Sequence, residues 1–148
     1  MTTRVVTNLD GVSNGIQATV EGDVGPGGLA TALRSGAAPV RCWFGQAELD
    51  ADLPLLVFTF DSRRFVSNMQ TDSIYLEVSF ELYENRFRGT TRALSLAGRL
   101  SELFHNRLIP CAGAAEVKTQ AIAPPELALE EDAWHATQRY RCWVSALR

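Results

Sequence analysis

The tripeptide Arg-Cys-Trp occurs twice in this sequence, at positions 41–43 and 141–143. A cation beside a thiol lowers the thiol pKa and makes a better nucleophile, so either cysteine could act in covalent catalysis. The two cysteines could instead form a disulfide, or both could be ligands of one site. A third interpretation is that the tripeptides belong to two similar strands whose cysteines point into a core.

The histidines and cysteines do not form a pattern that predicts catalysis or metal binding. The two histidines are His105 and His135, and nucleophilic catalysis would need a cysteine or serine beside one of them. Cys142 lies on the opposite face of its strand from His135 if side chains alternate. The cysteines include no CxxC pair and are too few for a disulfide scaffold. We therefore expect no catalytic, metal-binding or cofactor-binding residue, and reduced buried thiols at Cys42, Cys111 and Cys142.

Alternation of apolar and polar residues predicts the strands that position these groups. The clearest run is "IYLEVSFELY" at 74–83, which is typical of an antiparallel sheet with one face in the core. Further strands are predicted at 40–44, 53–60, 115–123 and 133–146. In two of them the alternation turns Cys42 and Cys142 inward. We interpret 61–72 as a long connection and 124–132 as an acidic connection.

Apolar residues at spacings of three and four predict a helix at 5–20 and a second helix within 85–110. Thr90 or Thr91 is expected to cap the second helix at its N-terminus. After the glycine-rich connection "GDVGPGG", one or two further helical turns are expected in 29–36.

These elements predict one α+β domain, with an antiparallel β-sheet and the helices packed on one face. The domain covers residues 1–148, of which the first fifty supply a helix and the glycine-rich connection. The net charge of −3 argues against a dedicated binder of nucleic acid or of anionic membranes. Since no segment resembles a signal peptide or approaches 18 apolar residues, we expect neither a secreted precursor nor a membrane protein.

Aromatic residues stand on the polar faces of the predicted strands, where a monomer would favour small polar side chains. They are Trp43, Tyr75, Tyr83 and Trp143. Two arginines of the last strand could also form ion pairs with two glutamates if the strands are neighbours. These are Arg139, Arg141, Glu77 and Glu81. Because aromatic residues and arginine are enriched in protein–protein interfaces, we expect something other than water to cover this face.

Two charged stretches of opposite sign accompany that face. A basic stripe along the second helix contains Arg88, Arg92 and Arg99, and an acidic run contains Glu130, Glu131 and Asp132. The stripe is open to three interpretations, namely a solvated surface, a contact between subunits in which the acidic run supplies the complementary charge, and a nucleic-acid contact.

The succession of elements resembles the tail terminator, or tail completion, proteins of long-tailed bacteriophages. The similarity lies in the strands "LPLLVFTF" and "DSIYLEVSFELYEN", the helix "TTRALSLAGRLSELFHNRLI" and the closing strand "WHATQRYRCWVS". It covers about residues 50–148, and the first fifty residues match only in containing a predicted helix. The resemblance implies a non-enzymatic virion subunit that forms a ring, commonly of six copies, at the head-proximal end of the tail tube.

The same resemblance implies the partners. They would be further copies of the chain, the tail tube protein and a head–tail connector or neck protein, with DNA passing through the lumen without specific binding. The protein would be made in the host bacterial cytoplasm and end up in the virion tail or neck. The connection 61–72, with Arg63, Arg64 and Phe65, is a candidate for reaching the tube or connector.

Two alternatives remain open. The chain could be another neck component, such as a head–tail connector or stopper, or a tail tube subunit of related fold. From a different class, it could be a small ligand-binding or enzymatic α+β domain.

Overall fold

Helices and strands form an α+β arrangement in the part of the chain that the computed structural model describes, residues 9–67, 72–130 and 132–146. The helices are α1 (Asp10–Glu21), α2 (Leu29–Ala32) and α3 (Gly89–Phe104). The strands are β1 (Cys42–Phe44), β2 (Leu55–Ser67), β3 (Asp72–Asn85), β4 (Arg107–Leu108), β5 (Ala114–Ala121), β6 (Glu126–Leu129) and β7 (Ala133–Ala146). The predicted fold class is therefore confirmed.

β3 and β7 form the centre of a seven-stranded sheet with the order β1-β2-β3-β7-β5-β4, and β6 also pairs with β7. β1 and β2 are parallel, whereas every other pair is antiparallel. The expectation of a purely antiparallel sheet is wrong at this one pair. The connection 45–54 carries the chain back to the level at which β1 began, so β2 runs beside β1 in the same direction.

Strict alternation places one face of the central strands in the core. The inward residues of β3 are Ile74, Leu76, Val78, Phe80 and Leu82, and those of β7 are Ala136, Gln138, Tyr140, Cys142 and Val144; all are buried. A slip of one residue would turn either set toward solvent, so the apolar alternation fixes the register. The predicted faces of both strands are confirmed.

The helices cover that inner face. α3 contributes an apolar stripe in which Ala93, Leu96, Ala97, Leu100 and Phe104 are buried. The ring centroid of Phe104 lies 4.9 Å from that of Phe80 and 6.1 Å from that of Tyr140. Aromatic packing of this kind adds to the stabilisation that comes from burial itself.

The start of α3 differs from the expectation that Thr90 or Thr91 would cap it. The chain passes from β3 through a 3₁₀ turn at Arg86–Arg88, and both threonines fall inside the first helical turn. The Asn85 Oδ1 accepts a hydrogen bond from the Phe87 N–H at 2.8 Å, so the chain turns before the helix begins. The 3₁₀ turn leads directly into the helix, and Arg88 at the cap position makes no side-chain capping bond.

α1 packs unusually close to the segment that precedes β5. A Cβ atom on Gly15 would lie 2.4 Å from the Cys111 Sγ and 2.6 Å from the Pro110 carbonyl oxygen, and one on Gly11 would lie 2.0 Å from the Ala112 oxygen. Both glycines therefore permit a contact that any side chain would block. The helix predicted at 5–20 is confirmed from Asp10 onward, and residues 5–8 lie outside the described part of the chain.

Two segments interpreted as connections prove to contain strands. β2 continues past a bulge between Phe60 and Ser62 and pairs with β3 as far as Ser67, so 61–67 is not part of a loop. β6 pairs with the start of β7, so 126–129 is not irregular either. In both cases backbone pairing with a central strand imposes extended structure on a segment that is too polar, at 61–67, or too short, at 126–129, for its own pattern to predict a strand.

Candidate functional site

The repeated Arg-Cys-Trp tripeptide forms neither a nucleophile nor a disulfide. Cys42 and Cys142 are fully buried, and burial raises the pKa of both thiols to about 12. The Arg41 guanidinium points away from the thiol and donates to the Pro54 carbonyl oxygen at 2.9 Å. β2 and β3 lie between the two tripeptides, which places the cysteines too far apart to be bridged. Both are core residues, as the alternation predicted.

The histidines are likewise held by structural contacts. His105 accepts a hydrogen bond at Nδ1 from the Ala121 N–H at 3.1 Å, and the Nδ1 of His135 lies 2.9 Å from the Glu130 Oε1. Among the described residues, no group of three or more His, Cys, Asp or Glu side chains is placed to hold a metal ion. Within these same residues, no helix combines the length and the apolar content needed to span a bilayer.

The outer face of the sheet, which lies opposite the helices, carries an aromatic pair toward one end. Tyr75 of β3 and Trp143 of β7 stand directly opposite each other in register. Their ring centroids are 3.9 Å apart and their planes meet at 81°, an edge-to-face contact. The Trp143 Nε1 donates to the Ser145 Oγ at 2.7 Å, which fixes the indole. Both rings remain partly exposed, so they offer a rigid surface to a partner.

A second aromatic group lies toward the other end of this outer face. Tyr83 stacks on His135, with ring centroids 4.3 Å apart and planes within 8°. Burial raises the pKa of Tyr83, and the nearby carboxylates of Glu81 and Glu130 raise it further. Trp43 of β1 pairs with Val57 of β2 and is also half-buried. The four aromatic residues predicted for the polar strand faces are thus all partly exposed.

A charged band separates the two aromatic groups. The Arg139 Nη1 lies 3.3 Å from the Glu77 Oε1, an ion pair between β7 and β3 that confirms one of the predicted contacts. Arg141 stands opposite Glu77 in register and is exposed. Glu81 approaches His135 instead of an arginine, at 3.6 Å from its Nε2. The outer face therefore presents rings at its ends and charges of both signs between them.

The basic stripe of α3 is mostly engaged within the chain. The Arg99 Nη2 lies 2.5 Å from the Asp23 Oδ1 and its Nε donates to the Oδ2 at 2.8 Å, while its Nη1 lies 2.5 Å from the Glu102 Oε2. The hydrogen bond from Arg99 holds the pKa of Asp23 below its usual value. Arg92 approaches the fully buried Glu84 at 3.6 Å. Arg99 therefore stabilises the carboxylate of Asp23, whereas Arg92 lies near that of Glu84 without a hydrogen bond to it. Arg88 remains as the exposed member of the stripe.

The remaining candidates lie at the ends of the sheet. Glu130 contacts His135, Asp132 is exposed, and Glu131 lies outside the described residues. Arg63, Arg64 and Phe65 belong to β2 and pair with Leu76, Tyr75 and Ile74, while their side chains are outside what the structure describes. The Arg63–Phe65 segment is therefore part of the sheet, and Glu130 and Asp132 follow β6 and precede β7 directly, not within a long loop.

Two exposed apolar residues were missed by reading the sequence. Leu49 and Phe87 are 93% and 88% exposed, the highest values among the large apolar side chains of the described residues. Each is flanked by charges of a single sign, in "AELDAD" and "RFR" respectively. An apolar residue inside a short run of like charges was the available signal.

No protein family and no curated protein matches this chain. Among solved structures, a protein described as part of the virion of a native gene transfer agent particle matches with a TM-score of 0.54 and 8% identity, over 70% of this chain and 78% of that chain. A second protein, whose name describes no function, matches with a TM-score of 0.50 and 14% identity, over 92% of this chain and 96% of that chain. At these identities the likeness concerns the fold, and this chain is similar in fold to a gene transfer agent virion component.

Proposed function

We propose that this chain is a structural, non-enzymatic subunit of a phage-type virion. Its copies form a ring, of six in the simplest case, at the head-proximal end of the tail tube, where the ring ends tail assembly and joins the tail to the head and neck. The observation that carries the proposal is the likeness in fold to a component of a gene transfer agent virion. The order of elements, which resembles that of tail terminators, supports the specific role.

The outer face of the sheet supports an assembly role. Tyr75 and Trp143 contact each other edge to face and stay partly exposed, and Arg141 beside them is exposed. Aromatic residues and arginine are the types most enriched where proteins bind each other. We assign this face to contact with neighbouring virion proteins, with Trp43, Tyr83 and Arg139 as further members. The high pKa of the buried thiols argues against cysteine catalysis.

The assembly itself is tested with the purified chain. We expect light scattering after size-exclusion chromatography to give a mass six times the 16.3 kDa of the chain, and negative-stain images to show closed rings. A chain that remains a monomer at high concentration, and also in the presence of tails, would contradict the proposal. Open filaments would indicate a tube subunit, because a head-to-tail contact that does not close by rotation grows without limit.

The outer face is tested by a matched pair of charge reversals. Arg141→Glu alters the exposed charge beside the aromatic pair, whereas Arg34→Glu makes the same change after α2, on another part of the surface. We expect Arg141→Glu to reduce binding to tails or rings about tenfold or more, because reversing an exposed charge within an interface disturbs its electrostatic complementarity. Equal effects of both variants, measured by co-sedimentation with tails, would remove this face from the proposed interface.

A further inference from the structure

The long strand β2 has an edge that no described strand covers beyond Phe58. β3 pairs with β2 from its first residue to its last, whereas β1 pairs with the opposite edge only from Leu56 to Phe58. After β1 the chain leaves the sheet at Gly45, whose N–H donates to the Phe58 carbonyl oxygen at 2.9 Å. Along 59–67, every second residue of β2 therefore turns its N–H and C=O groups toward an open edge, which is a template for pairing with another chain.

A second open edge lies on the other side of the sheet, at β6. β6 pairs with β7, and no strand of the described residues pairs with its other edge. Because β3 and β7 lie between β2 and β6, the two open edges of one copy are about 14 Å apart. β7 is level with the open part of β2 from Arg139 onward but pairs with β6 from Trp134 to Thr137. The open edges therefore lie toward opposite ends of the strands, and filling one leaves the other accessible.

The two edges run in the directions that an antiparallel pair needs. β7 runs parallel to β2 because both are antiparallel to β3, and β6 is antiparallel to β7. When β6 of one copy is placed beside β2 of the next copy, with both sheets facing the same way, the two strands are therefore antiparallel. The helices then lie on the same side of the sheet in both copies.

Apolar side chains at the two edges match in this orientation. Phe44 ends β1 where the open edge of β2 begins; it is 47% exposed, and its ring centroid lies 4.9 Å from that of Phe60. Leu129, the last residue of β6, is 51% exposed. By register all three stand on the inner face of the sheet. Antiparallel pairing brings Leu129 of one copy to Phe60 and Phe44 of the next, so these side chains bury one another.

The charges of the two edges are also complementary. The open stretch of β2 includes Arg63 and Arg64, whereas β6 begins with Glu126 and leads into the acidic run. With Leu129 level with Phe60 in an antiparallel pair, Glu126 comes level with residues 63 and 64. Opposite charges across neighbouring strands stabilise the pairing of those strands.

We propose that β6 of one copy pairs with the open edge of β2 in the next copy, so that the sheet continues from copy to copy. This inference rests on the proposed ring and names its contact. A ring needs two different surfaces on each copy, and the two edges supply them. Because they lie toward opposite ends of the strands, successive copies are staggered along the strand direction, and such a stagger allows a sheet to close on itself.

Engineered cysteines test the pairing in the full chain. Ser62→Cys and Ala128→Cys are combined in one chain, and the control chain combines Ser62→Cys with Ser95→Cys, at an exposed position of α3. Mild oxidation should convert the first chain into a ladder of covalent multimers on a non-reducing gel. The control, the single variants and the wild-type chain, whose own thiols are subjected to the same oxidation, should remain monomeric.

Three outcomes of this experiment would overturn the inference. One is that rings form while the chain with both Ser62→Cys and Ala128→Cys gives no ladder. The others are covalent dimers of Ser62→Cys alone or of Ala128→Cys alone, since these would show that each edge pairs with its own kind. All three leave the proposed function standing, whereas a wild-type chain that never assembles, even with tails present, overturns both.

The apolar contact is tested by a matched pair of substitutions. Leu129→Asp places a charge beside Phe44 and Phe60 of the next copy and should raise the concentration needed for assembly about tenfold or more. Leu94→Asp makes the same change on α3, at a residue that is 48% exposed, and should leave assembly unchanged. Light scattering across a concentration series measures this, and circular dichroism confirms that both variants are folded. Equal effects of the two variants would contradict the contact.

Discussion

Asp23 joins two parts of the chain that lie far apart in sequence. Its carboxylate accepts hydrogen bonds from the Arg99 guanidinium in α3 and, at 2.8 Å, from the Leu29 N–H at the start of α2. The side chain is only 6% exposed, so removing its charge leaves polar groups of both helices without a full partner. The contact fixes α2 against α3.

The pKa of Asp23 lies below its ordinary value of 3.8, chiefly because of the hydrogen bond from Arg99. A carboxylate whose pKa is lower in the folded state than in the unfolded state stabilises the fold at pH values above its unfolded-state pKa. This stabilisation is lost as the pH falls through the folded-state pKa. Asp23→Asn should therefore lower the free energy of unfolding by about 1–2 kcal/mol at pH 7, and by less at pH 2, where part of the stabilisation by the charged carboxylate is already lost. Urea denaturation at both pH values measures the difference; an effect that is equal at both would contradict it.

For single side chains, the sequence predicted which face of a strand each one occupies but not which groups it contacts. The alternation turned Cys42 and Cys142 inward and Trp43 and Trp143 outward, as the structure has them. It could not reveal that Arg99 binds a carboxylate 76 residues away, because such a contact depends on how elements pack. From the sequence alone, Arg99 was therefore interpreted as an exposed interface residue.

Among the elements, α1 shows that intrinsic helix propensity is a poor guide to a helix whose position depends on close packing. Gly11 and Gly15 lower the propensity of this helix, yet they allow it to touch the backbone at 110–112. In α3, by contrast, a Cβ on Gly98 would meet nothing within 4 Å. The same residue type thus serves a tight contact in one helix and no contact in the other.

A matched pair of substitutions follows from this difference. Gly98→Ala should raise the free energy of unfolding by about 0.5–1 kcal/mol, since alanine favours the helix and the methyl group has room. Gly15→Ala gains the same helix propensity, but it should lower the free energy of unfolding by about 1–3 kcal/mol, since the new methyl group would collide with Cys111 and Pro110. Chemical denaturation of both variants measures the sign, and a stabilised Gly15→Ala would show that α1 does not pack as described.

Elements with strong alternation were predictable and elements formed by pairing were not. β3 carries apolar residues at every second position, β7 does so except at Gln138, and both strands were located within a few residues. Residues 61–67 contain charges and few apolar side chains, and 126–129 form only a four-residue segment beside the acidic run. Both become strands because β3 and β7 offer hydrogen-bonding edges. A single sequence holds no direct record of that pairing.

For the whole molecule, the sequence predicted the partly exposed aromatic face of the sheet but not the two most exposed apolar side chains, Leu49 and Phe87. Alternation alone was enough to place Tyr75 and Trp143 on a polar face. The exposure of Leu49 and Phe87 arises from a connection and a 3₁₀ turn, where no periodicity applies. Surfaces built on strands can therefore be read from one sequence, whereas those built on irregular segments require the fold.

The pairing of β3 with β7 has a consequence for the time course of folding. These strands form the middle of the sheet, yet 47 residues separate the end of β3 at Asn85 from the start of β7 at Ala133. During synthesis, β3 emerges from the ribosome without its neighbour β7, and that edge of β3 stays unpaired until β7 has also been synthesised. A chain that stops at residue 132 should therefore remain protease-sensitive, whereas one that includes β7 should be resistant. Completion of this domain is thus a late event, and the nascent chain depends until then on protection of its apolar strand.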